Sequence, residues 1–330
     1  MNNSPFNSLL RKALAWRFEV ADGVYFRGNQ AALSLTDRTT IVFDFRDARF
    51  VHFGDLLFFI PLLLCLSQKF TVMILAHEPH KALLDFTLAN LNGLIRIMEA
   101  PPAPLWNDET LPIVVITTTY GLPLAGYPRH FAVVGLGIPR ANIHEPYPEF
   151  RAHSFLRFTD VNNFTAEHLL ALIHEWRYDL KQRVEQNAQT LESELPDRTL
   201  WLAPYLSSGR FRDLFKVKQR YLASAAIERS KKLEATIILV GGKDDLLPPP
   251  MSDTDFIDMR GRNVVQMIGL AGSSRVLQGI GFDGFWMHVF DLLEKPFDTL
   301  FRGRYTKSAR ALHYNSVNLS FLRSATRNYL

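Results

Sequence analysis

Short runs of β-branched and aromatic residues alternate with longer helix-forming stretches along almost the whole of this 330-residue chain. That alternation admits few folds. Parallel strands cannot be joined by a tight turn and need a helical crossover, so strand–helix–strand repetition specifies an α/β architecture with helices packed on parallel sheets. The pattern runs through the sequence twice. The first series has β-rich runs at 18–20, 24–27 and 40–45, separated by the turn pairs Asp22-Gly23 and Gly28-Asn29. It continues with a buried helix at 56–68, a strand at 70–75, a helix at 81–92, and strands at 94–98, 111–117 and 131–137, with 101–104 as a loop. Pro61 is expected to be tolerated in the first turns of its helix, where missing N–H donors matter little.

A long, charged helical stretch over 166–195 ends at Pro196. The second series follows: a strand at 199–203, a Ser-Ser-Gly loop, a helix to about 233, and a strand at 236–240 running into Gly241-Gly242. Strands at 253–259, 275–280 and 299–301 then alternate with helices at 264–271 and 285–293. A length of 330 residues suits about two domains. The boundary is placed at 192–198. This gives a first domain of 1–195 with an extra β segment at 17–46, a second of 196–303, and a tail of 304–330. In doubly wound sheets ligands bind outside the carboxyl ends of the strands, so a cleft between two facing halves is the expected site.

Composition narrows the function classes. With 47% hydrophobic and 21% charged residues the chain can bury a sizeable core. Cys65 stands alone, which excludes a disulfide framework and a cysteine-based zinc site. The first 16 residues hold too short an apolar core for a signal peptide, and the longest apolar run, 56–66, falls well below the roughly 20 residues that span a bilayer. The expected location is the cytoplasm, at most peripheral to the inner face of a membrane. The net charge of +4 belongs to one end: after Asp298 come Arg302, Arg304, Lys307, Arg310, Arg323 and Arg327 and no acidic residue. The body carries no basic excess for nucleic acid, whereas the tail suits an anionic membrane surface or a crossing back to the first domain.

Three constellations carry chemistry. In His52-Phe53-Gly54-Asp55 the glycine permits a tight strand-to-helix turn, and Asp55 sits at a helix start as an N-cap or as a general base. Ser207-Ser208-Gly209-Arg210 follows the strand that opens the second half. Its small residues expose backbone N–H groups to an anion, with Arg212, Lys216 and Lys218 beyond. In Asp283-Gly284-Phe285-Trp286-Met287-His288 an aspartate ends a strand and a glycine frees the backbone for a ligand, while His288 lies along the following helix as a core residue or a ligand contact. His77-Glu78-Pro79-His80 lacks the spacing of a helical metal site, and Gly241-Gly242-Lys243-Asp244 lacks that of a phosphate-binding P-loop.

Gly54-Asp55-Leu56-Leu57 with Pro61 resembles the Gly-Asp-hydrophobic-hydrophobic…Pro signature of the heptosyltransferase-like glycosyltransferases, family 9. Asp283 to His288, then Lys295-Pro296 and 299–303, resembles that family's Asp-Ser-Gly-Pro-Met-His…Lys-Pro…Leu-Phe-Gly segment. The resemblance spans about 40–303. Two departures stand out: Gly284-Phe285-Trp286 replaces Ser-Gly-Pro, which would crowd the donor pocket, and 47–53 is an insertion.

The resemblance implies a GT-B fold, two facing Rossmann-like domains with an interdomain cleft. It also implies an inverting, metal-independent transfer from a nucleotide-diphospho sugar to a glycan or glycolipid acceptor of lipopolysaccharide or capsule type, with no cofactor. Asp55 would be the base, with Gly54 on the acceptor side. Asp283, Gly284, Phe285 and His288 would contact the donor together with Gly242. Ser207, Ser208, Gly209, Arg210 and Lys216 would cradle its phosphates. A nucleotide-sugar epimerase of the same fold and a catalytically degenerate partner subunit remain alternatives.

Overall fold

The computed structural model describes residues 19–21, 24–28, 33, 35–46, 52–91, 93–118, 127–136, 155–156, 159, 166–205, 212–282, 284–300 and 319–321. The chain forms two compact units, Met1–Trp176 and Arg177–Leu330. They divide inside the long helix at 166–191, about twenty residues before the boundary expected at Pro196.

Unit one is built on a seven-stranded sheet: β1 (Glu19–Ala21), β2 (Val24–Gly28), β3 (Thr40–Asp44), β4 (Thr71–Leu75), β5 (Ile95–Met98), β6 (Ile113–Thr118) and β7 (Ala132–Leu136). The order is β1-β2-β7-β6-β3-β4-β5. The five strands from β7 to β5 are parallel, whereas β2 runs antiparallel to β7 and β1 to β2. Strand order reverses between β3 and β6, which makes the crevice at their carboxyl ends the topological switch point.

Alternation along β3 sorts its side chains onto two faces. On one face Phe43 and Phe45 meet Phe59 of α1 (Phe53–Ser67), with ring centroids 6.0 and 5.0 Å apart. On the other, Val42 joins Met73, Leu75, Val115, Phe131 and Val133 beneath Trp106 and Tyr127. Trp106 belongs to α3 (Ala103–Asn107), which follows α2 (His80–Thr87) and β5. The sequence reading leaves 101–104 as a loop. Pro104 falls in the first turn of α3, where its missing N–H costs nothing.

Helix α1 starts at Phe53, so Pro61 lies two turns inside it rather than in the first turns. Every residue from Leu56 to Ser67 is buried, and this packing holds the helix through the proline. Cys65 is among them, and burial pushes its thiol up to about 12, which leaves it a small inert hydrophobe.

Helix α4 (Ala166–Leu191) spans the boundary between units. Trp176 donates its Nε1–H to the Thr87 carbonyl at 2.8 Å within unit one. Arg177, the first residue of unit two, donates to the Leu292 carbonyl at 3.1 Å and to Glu294 at 2.9 Å.

Unit two carries an all-parallel six-stranded sheet: β8 (Thr199–Ala203), β9 (Thr236–Leu239), β10 (Phe256–Asp258), β11 (Val276–Phe282), β12 (Phe297–Leu300) and β13 (Leu319–Phe321). The order β10-β9-β8-β11-β12-β13 is that of a dinucleotide-type doubly wound sheet. Its helices are α5 (Arg212–Leu233), α6 (Val264–Gly272) and α7 (Phe285–Leu292). Three elements differ from the sequence reading. The strand expected over 253–259 is reduced to 256–258, behind a 3₁₀ turn at Met251–Asp253. The fifth strand occupies 297–300 instead of 299–301, because Phe297 already pairs with Gly279. The backbone of 319–321, read only as tail, adds a sixth strand in parallel to β12.

Glycines let the second sheet close up at its centre. A Cβ on Gly281 of β11 would lie 2.6 Å from the Ala203 carbonyl oxygen of β8. Among the described residues no helix is long and apolar enough to cross a membrane.

Candidate active site

In unit one the switch point is furnished by the segments that leave β3. His52, in extended conformation, is the N-cap of α1, and Asp55 occupies the third helical position. The Asp55 carboxylate accepts the His52 backbone N–H at 3.0 Å. Asp55 is therefore not the N-cap that its place after Gly54 suggests; it is the acidic half of a capping box. There the helix dipole favours a carboxylate.

Asp55 and Gly54 are both partly exposed. Behind them His80, 5% exposed, packs edge-on to Phe53 with ring centroids 5.0 Å apart. Burial pushes the His80 imidazole below its ordinary range, and the charge of His52 adds to this while that of Asp55 opposes it. His52 and His80 are thus electrostatic neighbours of Asp55. The sequence reading sets His80 aside with a rejected metal motif, and among the described residues no group of three or more His, Cys, Asp or Glu is placed to hold a metal ion.

The carboxyl end of β3 carries a second polar group that the sequence reading overlooks. Asp44, 8% exposed, accepts Nε and Nη2 of Arg46 at 2.9 and 2.5 Å and the Arg46 backbone N–H at 3.1 Å. Tyr127 donates its hydroxyl to the same carboxylate, and Thr117 at the end of β6 donates to the Asp44 carbonyl at 2.8 Å. Burial beside Asp44 pushes the Tyr127 hydroxyl far above the usual phenol range, so it stays a donor. Hydrogen bonding to Asp44 likewise raises Arg46.

Unit two repeats the device at β10. Asp258 accepts Nε and Nη2 of Arg260 at 2.9 and 2.6 Å, and this contact holds its carboxyl below the usual range. Arg260 also donates to the Asp245 carbonyl. An Asp-x-Arg closing a β-rich run was the signal available in both places.

At the switch point of unit two, β8 and β11 lie side by side, with Ala203 level with Gly281. The Ser207, Ser208, Gly209, Arg210 segment continues from the first strand, and Asp283 from the second. These five residues lie outside the described residues. Gly284 is the N-cap of α7 and Phe285 its first residue. Lys216 falls within α5.

Trp286, the departure expected to crowd the donor pocket, meets Trp201 of β8 edge-on with ring centroids 4.8 Å apart. Phe285 packs on Trp286 at 5.0 Å. His288 is 3% exposed, inside the apolar stretch of α7. Gly242 follows β9, and its N–H donates to Asp245 at 2.7 Å, so this amide is used within its own turn. Lys295 belongs to the opposite edge: its ammonium donates to the carbonyls of Ser273 and, at 3.1 Å, Val276, where β11 begins.

No protein-family model and no curated protein matches the chain. Solved structures do. A glycosyl transferase of family 9 from Veillonella parvula DSM 2008 aligns with a TM-score of 0.51 at 14% identity, over 87% of this chain and 88% of its own. The dodecameric iron-containing heptosyltransferase TibC of enterotoxigenic E. coli, in complex with ADP-D-β-D-heptose, aligns at 0.50 and 10% identity, over 88% of this chain and 64% of that one. The E. coli ADP-heptose lipopolysaccharide heptosyltransferase II aligns at 0.47 and 13% identity, over 87% and 91%. The chain shares the two-domain, Rossmann-like GT-B fold of the family 9 glycosyltransferases, the fold that the residues at 54–61 and 283–303 led one to expect.

Proposed function

We propose that this chain is an inverting glycosyltransferase that moves a sugar from a nucleotide-diphospho donor to a hydroxyl of a surface glycan. The observation that carries the reading is positional. The two segments that resemble family 9, Gly54-Asp55 and Asp283-Gly284-Phe285, each follow a strand that flanks a switch point, where doubly wound sheets bind ligands. A donor would lie on unit two, its diphosphate toward the start of α7 and the loop after β8. Helix N-termini and the cations Arg210 and Lys216 would stabilise the departing diphosphate without a metal.

Asp55 would accept the proton of the acceptor hydroxyl. It stands in the first turn of α1, and a partly exposed carboxylate there can reach a substrate. Transfer on the cytoplasmic side of a membrane, with the basic tail toward anionic lipid, fits the charge distribution.

The test is a transfer assay with a panel of nucleotide sugars and glycan acceptors, followed by Asp55→Asn. We expect turnover to fall by roughly 10²- to 10⁴-fold, the span of a general base, with donor affinity within about twofold of the parent. Turnover that survives Asp55→Asn would remove the base assignment. Turnover of donor without acceptor would point instead to an epimerase.

A further inference from the structure

Lys295, between α7 and β12, sits in a cradle of two carbonyls at the amino edge of the second sheet. Its Nζ donates to the carbonyl of Ser273, the C-cap of α6, and at 3.1 Å to that of Val276, the first residue of β11. Among the described residues no other acceptor reaches this nitrogen. An ammonium carries three N–H donors. A neutral amine carries two, with a lone pair in the remaining direction. Two carbonyls therefore satisfy the neutral amine in full and leave one proton of the ammonium without an acceptor. Burial acts in the same sense and pushes the Lys295 ammonium down to about 8.

The charges around the cradle select the chemistry. Glu192, of the 3₁₀ turn Glu192–Glu194, is the carboxylate that favours the ammonium, and it does not overcome burial. Its Oε1 accepts the hydroxyls of Ser273 and Ser274 at 2.6 and 3.1 Å and lies 3.8 Å from Arg275 Nε. Arg275 in turn donates to the Leu195 carbonyl at 2.7 Å and lies 3.5 Å from Asp197. On the other side Glu294 is taken by Arg177 at 2.9 Å and Lys181 at 2.7 Å. An anionic group added to the amine would be repelled by Glu192, whereas a neutral amide adds no charge there. A desolvated lysine is an activated nucleophile, and Lys295 is partly exposed, which admits a compact reagent.

We propose that Lys295 is a modification site, a nucleophilic amine that takes a small acyl group from an acyl phosphate. The lone pair of Nζ attacks the acyl carbon and a C–N bond forms. The bond from that carbon to the phosphate oxygen breaks with its electron pair, and the departing phosphate takes up the proton that the nitrogen gives up. The amide product keeps one N–H for two carbonyls, so acylation costs the cradle one of its bonds. The site lies within unit two, at the opposite strand ends from the switch point, and does not depend on the transfer chemistry proposed above.

The test treats the full chain with acetyl phosphate across a pH series and follows each lysine by peptide mass spectrometry. The exposed Lys231 and Lys243 serve as internal references. Near pH 8 about half of the Lys295 side chains are neutral, against roughly one in 300 for an ordinary lysine. A less basic amine attacks more slowly, which brings the expected lead of Lys295 over the references to about tenfold. Its labelling rate should level off above about pH 8, where the amine is largely neutral. Glu192→Gln keeps an acceptor for the two serines and removes the charge, so the levelling should begin at a lower pH. Slower labelling of Lys295 than of both references near pH 8, a rate still climbing at about pH 10, or levelling at a higher pH in Glu192→Gln would overturn the proposal. Because labelling is read without transfer, the proposed enzyme activity can fail or hold independently.

Discussion

Replacing Asp44 by asparagine isolates the group at the carboxyl end of β3. The carboxylate accepts four hydrogen bonds, three from Arg46 and one from Tyr127, while 8% exposed. Asparagine keeps the shape but places an NH₂ against Arg46 in either orientation, because both carboxylate oxygens accept from it, so donor faces donor. Breaking a buried ion pair by removing one partner costs about 3–5 kcal/mol. The Arg46 side chain is 30% exposed and can turn toward water, which brings the expected loss down to roughly 2–3 kcal/mol. For a unit of this size that corresponds to a fall in Tm of about 5–10 °C.

Urea denaturation of parent and variant, followed by circular dichroism, measures the change. Tyr127→Phe should cost less, about 1–2 kcal/mol, because Arg46 still satisfies the carboxylate. The double variant should lose less than the two single losses combined, since both act on one group. A loss below about 0.5 kcal/mol for Asp44→Asn, the range of an ordinary surface substitution, would refute the claim that this buried network holds the strand end.

Other outcomes follow from the same structure. A Cβ on Gly272 would collide with Val184 Cγ1 of α4, so Gly272→Ala should destabilise unit two by about 1–3 kcal/mol, recovered in part by Val184→Ala in the same denaturation assay. Burial pushes the Lys295 ammonium down to about 8 from its ordinary 10.5. The native state therefore releases this proton before the unfolded chain does, and stability should rise as pH climbs from about 8 to 10.5. Lys295→Met should flatten that rise in pH-dependent melting. Trp286→Ala, which strips the ring from Trp201, should lower stability by at least the roughly 0.5–1.5 kcal/mol of an aromatic pair and shift the fluorescence of Trp201.

The α/β class and the two-part organisation were legible because β-branched runs such as 40–44, 113–118 and 236–239 are fully formed signals on their own. Strand order was not, since it depends on which neighbours pair and no local pattern encodes it. Helix α3 was hidden by Pro101, Pro102 and Pro104, which read as loop although a proline is at home in a first turn. Strand β13 was hidden because three residues form a strand only when an edge such as β12 is waiting for them. At the site, Gly54-Asp55 was visible through its turn chemistry, yet the role of Asp55 in the capping box needed the position of His52. Asp44 and Arg46 passed as the end of a strand and the start of an insertion; only Tyr127, 83 residues away, shows why a carboxylate is buried there.

In the function proposed above, unit two takes a nucleotide sugar at the switch point between β8 and β11. Hydrogen–deuterium exchange of the full chain, with and without ADP-, UDP-, GDP- and CDP-linked sugars, tests it most directly. One donor should slow exchange in both 204–212 and 282–288, the segments that leave those two strands. If none of the donors changes exchange in either segment, the chain does not use this fold to bind a nucleotide sugar.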